Sequence, residues 1–172
     1  MAALNISRLD MQLAPHPAQT LADFASACLI VSELHERTTS GVINELNQRL
    51  QMHEGLPEHL FATTAAINHE VLGSMKLNGG MVLAQVRSAT LPHTRFALGR
   101  AREPLPWRGS RLNPISFVAL VVESSTNPGE YERVVEVLNS LAQHTEALKL
   151  MREATGAEEL FSILGNVSFH CR

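Results

Sequence analysis

Glu70-Val71-Leu72-Gly73-Ser74-Met75-Lys76-Leu77-Asn78-Gly79-Gly80-Met81-Val82-Leu83-Ala84-Gln85-Val86-Arg87 is the stretch on which the reading of this chain turns. A helix is expected to stop at Gly73, the residue type favoured just past a last helical turn. Asn78-Gly79-Gly80 marks a tight turn, and the apolar run after it is a short strand closing on one polar residue, Gln85. A turn-and-strand of this kind carries its last side chain to a surface where a reactive group would sit. Here that residue is an amide, whose nitrogen lone pair is delocalised into its carbonyl and makes a poor nucleophile. The frame is that of a site, and the residue in it is inert.

Upstream, Pro57 suits the first turn of the helix that Gly73 closes, with Leu60, Phe61, Ala65 and Leu72 on one side. Before it, Ser40 is the expected cap of a helix whose Val42, Ile43, Leu46 and Leu50 keep helical spacing up to Gly55. Cys28 to Val31 is a short β-prone run, and residues 1–22 read as a tail. Downstream, a loop holding Pro92 separates the first strand from a second at Arg95 to Leu98. A loop with Pro104, Pro106 and Trp107 follows; its tryptophan reads as a lid packed over the sheet edge, with a binding anchor as the alternative. Ile115 to Val122 is so continuously apolar that it suits an interior strand covered on both faces. Asn127-Pro128 opens a long helix with Val134, Val135, Leu138, Leu141 and Ala142 inward, and shorter helices are expected at 146–153 and 157–164. Helices before and after a group of strands predict an α/β three-layer sandwich, a central mixed β-sheet with helices on both faces. The expected domain is 23–166, between tails at 1–22 and 167–172.

The totals fit one globular domain: 172 residues, 45% hydrophobic and 18% charged. A net charge of −3 gives no global field for nucleic acid. The arginines are nonetheless bunched: Arg87, Arg95, Arg100, Arg102, Arg108 and Arg111 share one segment opposed only by Glu103. A solvated loop face and a docking patch for an acidic partner both account for this. Cys28 and Cys171 lack metal-ligand spacing. A disulfide between them would tie a terminus to the first strand, but a chain of this size does not need one, so reduced thiols are expected. No apolar run reaches transmembrane length, direct membrane insertion is not expected, and Pro15, His16, Pro17 and Asp23 interrupt any signal-peptide pattern. A cytoplasmic protein is expected.

In this order the elements resemble the mannitol/fructose-class EIIA domains of the bacterial phosphotransferase system, including their nitrogen-regulatory branch. The resemblance spans about Leu29 to Leu164. It rests on Glu70 to Ser74, Gly80, Phe96-Ala97-Leu98-Gly99-Arg100, Glu103-Pro104-Leu105, Leu120-Val121-Val122 and Ala157-Glu158-Glu159-Leu160. It implies a strand end that presents a histidine, which accepts a phosphoryl group from the carrier HPr and passes it on. Here the matching residues are Leu83-Ala84-Gln85, so the implied acceptor position is Gln85. The implied shell has changed as well: His69 replaces an arginine, Met75 a threonine, Lys76 a glycine and Tyr131 a second histidine, while Ser74 is kept.

Eight histidines are scattered without the pairing a metal site needs on any expected helix, so no metal and no cofactor are expected. His69 and His93 could still stand in as phosphoryl acceptors, with a solvent-facing role as the alternative. Asn78-Gly79-Gly80 with Lys76 lacks the spacing of a phosphate-binding loop, and no nucleophile elbow or dinucleotide fingerprint occurs. The first expectation is therefore a regulatory or interaction protein, with no catalytic residue and with a protein partner, a phosphotransferase component or a regulated protein. Its surface would centre on Ser74, Lys76, Gln85 and Tyr131, edged by Arg87, Arg95 and Arg100. The second is an active carrier in sugar uptake or nitrogen regulation, using His69 or His93. A third is a hollow for an uncharged ligand at the vacated position.

Overall fold

A computed structural model describes residues 20–55, 75–107 and 110–166, the side chains of 110–113 excepted. Five strands form one mixed sheet: β1 (Ile30–Val31), β2 (Met75–Leu77), β3 (Met81–Ser88), β4 (Arg95–Trp107) and β5 (Ser110–Ser124). Their order is β1-β4-β5-β3-β2, which puts the apolar β5 in the middle. β5 runs parallel to β3 in unbroken register from Met81↔Phe117 to Ser88↔Ser124, and antiparallel to β4. β1 joins the edge of β4 in parallel, and β2 returns antiparallel along β3.

Alternation along the strands sends successive side chains to opposite faces, and each face has its own core. Met81, Leu83, Phe96, Leu98, Phe117, Ala119 and Val121 face α2 (Pro128–Gln143), α3 (Thr145–Glu153) and α4 (Ala157–Gly165). Val82, Ala84, Val86, Ala97, Val118, Leu120 and Val122 face the other way, onto α1 (Thr39–Glu54) through Val42, Ile43, Leu46 and Leu50. The protein is thus a three-layer α/β sandwich, as the element order predicts. The glycine turn at Asn78–Gly80 lets β2 fold back on β3: Gly79 and Gly80 both have positive φ. A Cβ on Gly80 would sit 2.8 Å from the Pro114 carbonyl oxygen, and one on Gly79 would strike Leu148, so no other residue fits this corner.

Several expected elements change in detail. Thr38, not Ser40, caps α1: its backbone is extended and its hydroxyl accepts from the Gly41 amide at 3.1 Å. The strand expected at Cys28–Val31 shrinks to two residues, because a 3-10 turn at Ala27–Leu29 precedes it and β1 meets β4 only at Leu98 and Gly99. β4 does not stop at Leu98. It continues through Pro104 and Pro106 to Trp107, with register shifts after Arg100 and Leu105 that accommodate prolines in an irregular ladder. Trp107 lies inside the α1-side core, 2% exposed. Leu21, assigned by composition to the tail, is fully buried against the α4 side. The helix expected over 57–73 lies outside the described residues.

Candidate functional site

The parallel pair β3–β5 sets the candidate site, because side chains at the carboxyl ends of neighbouring parallel strands converge on one crevice. β3 does not close on Gln85 but continues three residues further, to Ser88. Gln85 shares the α2-side face with Met81 and Leu83 by the two-residue period. It is half-buried, and its Nε2 donates to Oε2 of Glu123, near the end of β5, at 2.5 Å. Arg87, in register with Glu123, reaches the same oxygen with Nε at 3.3 Å while its side chain stays 70% exposed. Glu123 is 6% exposed. A carboxylate held so far from water is costly unless donors reach it, and Gln85 and Arg87 supply them. Because a carboxylate only accepts, this contact also fixes which end of the Gln85 amide points inward.

Tyr131 closes the same crevice from the first turns of α2. Burial pushes its phenol above the ordinary value, and the nearby negative charge of Glu123 pushes it further. Gln85, Arg87 and Tyr131 therefore meet around one residue, Glu123, that neither composition nor motif singled out. Its signal was available: a lone charge terminating an interior apolar strand is a buried polar group in waiting.

The rim is the 89–94 loop, fastened to the β5–α2 connection. Ser124 Oγ donates to the Leu91 carbonyl at 2.7 Å and Asn127 Nδ2 to the Pro92 carbonyl at 2.6 Å. The Glu130 carboxylate binds His93 Nδ1 at 2.9 Å and accepts from the Thr94 amide at 2.8 Å. His93 thus has an orienting carboxylate, and its ring is 67% exposed.

The remaining expected site residues divide. Met75, paired with Leu83 on β2, is on the Gln85 face and half exposed. Lys76 is exposed opposite Val82, about 10 Å of strand from Gln85. Arg95 is turned to the α1 face, where Nε and Nη2 hold Glu54 Oε1 at 3.0 and 2.8 Å. Arg100 is spent on carbonyls: Ser32 at 2.8 Å, Met151 at 2.9 Å and Ala154 at 2.6 Å. Arg102 pairs with Glu33 and Arg37 with Glu103. Among the described arginines of that segment, Arg87, Arg95 and Arg102 are therefore opposed by carboxylates distant in sequence. His69 and Ser74 lie outside the described residues. Among the described residues no group of three metal-ligating side chains comes together, and no helix is long and apolar enough to cross a membrane.

No protein-family model and no curated protein matches the sequence. Solved structures do match. The nitrogen regulatory protein IIA-Ntr of Neisseria meningitidis is 23% identical over 84% of this chain and 98% of its own, with a TM-score of 0.66. The mannitol enzyme IIA of Escherichia coli, in complex with phosphorylated enzyme IIB, is 13% identical over 82% and 96%, with a TM-score of 0.67. The cryptic mannitol-specific enzyme IIA CmtB of Escherichia coli is 15% identical over 86% and 99%, with a TM-score of 0.66. TM-scores and coverage agree on one answer: this chain has the fold of the phosphotransferase-system IIA domains.

Proposed function

We propose that the protein is a IIA-fold domain without a phosphoryl acceptor at position 85 of β3, which works in the cytoplasm by docking on a protein partner. The observation that carries this reading is the hydrogen bond from Gln85 to buried Glu123. Phosphoryl transfer needs a nucleophilic lone pair and donors poised to hold the transferring oxygens. Position 85 supplies an amide, and the amide and Arg87 both donate to a carboxylate already in place. A docking surface needs neither reactivity nor a change of charge, so an inert position is compatible with it. The exposed rim for such a partner is Arg87, Met75 and the edge of Tyr131; Arg95 and Arg100, expected at its edge, are engaged elsewhere, with Glu54 of α1 and with the Ser32, Met151 and Ala154 carbonyls. A neighbour of the same fold was solved in complex with phosphorylated enzyme IIB, which supports a phosphotransferase component or a protein regulated beside one as the partner.

The test is incubation of the full chain with phosphoenolpyruvate and the general phosphotransferase proteins, followed by intact mass for acid-labile phosphate. No added phosphate is expected. Stoichiometric labelling of any histidine overturns the reading. Substitution of Gln85→His with Ala84→Pro and His69→Arg is expected to restore labelling at position 85, since the strand that carries it is intact.

One observation favours a second reading. His93 has Nδ1 held by Glu130, itself held by the Thr94 amide, and its exposed ring leaves Nε2 as the available nucleophile. Under this reading the protein is an active carrier labelled at His93. His93→Gln would then abolish the label, and Glu130→Gln would slow its formation.

A further inference from the structure

At the opposite end of β3 from Gln85, about 13 Å along the strand, a hollow of about 450 Å³ opens between the glycine turn, the start of the apolar part of β5 and the end of α3. Lys76 and Arg152 both line it, with Ser116 between the strands, and no carboxylate is among the described residues of its wall. This sets the two cations apart from Arg37, Arg87, Arg95 and Arg102, each of which meets a carboxylate. Lys76 forms no ion pair with a described residue.

Arg152 is held in place without being used up. Nη2 donates to the Gly79 carbonyl at 3.2 Å, and the guanidinium lies 5.9 Å from the centroid of the Phe117 ring. A guanidinium has five N–H donors, so most remain for a ligand. The wall between the cations is the Asn78–Gly80 turn, whose Gly79 carbonyl anchors Arg152. A site held ready in this way loses little freedom when a ligand arrives.

The geometry points to a binding site for a phosphomonoester: the phosphate dianion lies between Lys76 and Arg152, and a small polar body fills the rest of the hollow. Two unit positive charges match the dianion. The guanidinium fork suits two phosphate oxygens, and the ammonium acts as a point charge on the third. The volume is that of a small-molecule site and exceeds what phosphate alone requires. Nothing in this inference depends on position 85, so phosphate labelling of a histidine leaves it untouched, and its own failure leaves the docking reading intact.

The experiment is amide NMR on the full ¹⁵N-labelled chain titrated with glucose 6-phosphate, inorganic phosphate, glucose or succinate. Saturable shifts of the 76–80 and 116 amides are expected with glucose 6-phosphate at millimolar affinity or better, weaker ones with inorganic phosphate, and none with glucose. Lys76→Gln and Arg152→Gln are each expected to weaken binding about tenfold. Lys76→Gln touches no described partner, so it reports on the site even if Arg152→Gln loosens the turn. No saturable shift, shifts equal with glucose, or unchanged affinity in Lys76→Gln overturns the site. Succinate as tight as the sugar phosphate overturns the phosphate assignment, and inorganic phosphate as tight overturns the polar body.

Discussion

Glu123 terminates an interior strand with almost none of its surface in water, and the side chains around it are arranged to make that tolerable. The place of Gln85 on β3 was legible, because the glycine turn fixes where that strand begins. What it does there was not, since the carboxylate that receives its amide comes from 38 residues away. The arrangement can be read through Tyr131, the only tyrosine in the chain. Its folded pKa is raised first by burial and second by Glu123, so tyrosinate forms above the ordinary value of about 10. In Glu123→Gln the phenol is expected to ionise at lower pH than in the parent, but still above that ordinary value, because burial is the larger cause. Absorbance of tyrosinate against pH gives the answer directly. An unchanged titration would mean that Tyr131 and Glu123 do not share the crevice, and the site as described would fail.

At the scale of elements, periodicity located α1, α2, α3 and α4 to within a few residues, because their apolar stripes face a sheet whatever its exact pairing. It failed where long-range pairing overrides local composition. The prolines at 104 and 106 look like a loop and yet sit in β4, since the ladder is shifted there. Arg100 shows how a side chain that reads as surface charge becomes a joint: it ties β4 to Ser32 after β1 and to the last carbonyls of α3. Arg100→Ala is expected to destabilise the fold by about 2–3 kcal/mol by leaving those carbonyls unpaired, measured by chemical denaturation. Arg100→Lys should recover little, because one ammonium cannot span both sides. A pH effect belongs to the segment before α1. The hydrogen bond to Glu45, then its charge, raises the His35 pKa above about 6.5. Burial would raise Glu45, but bonds from the His35 ring and from the Glu36 and His35 amides outweigh it and lower it. The His35 contribution is thus complete below the unfolded histidine value and is lost as pH rises through the folded one. Glu45→Gln should return the His35 ring titration, followed by NMR, towards the ordinary value; no movement would dissolve the pair.

For the whole molecule, the alternation of β3, β4 and β5 does more than build two cores, because each strand contributes to both at once. A loss on one face must then be felt on the other, unless the layers can separate. Leu21 and Trp107 make this testable, since they lie in different cores. Leu21 is fully buried on the α4 side; Trp107, the only tryptophan, is buried on the α1 side. Leu21→Ala removes a core side chain and should cost about 2–5 kcal/mol. If the sandwich unfolds as one unit, Trp107 fluorescence in urea must shift to lower denaturant by the same amount as far-ultraviolet circular dichroism. A Trp107 transition that stays where it was while the helical signal moves would show that the two faces melt separately. In that case the docking surface proposed on the α2 side would be free to loosen without disturbing α1, and a rigid scaffold beneath Gln85 could no longer be assumed.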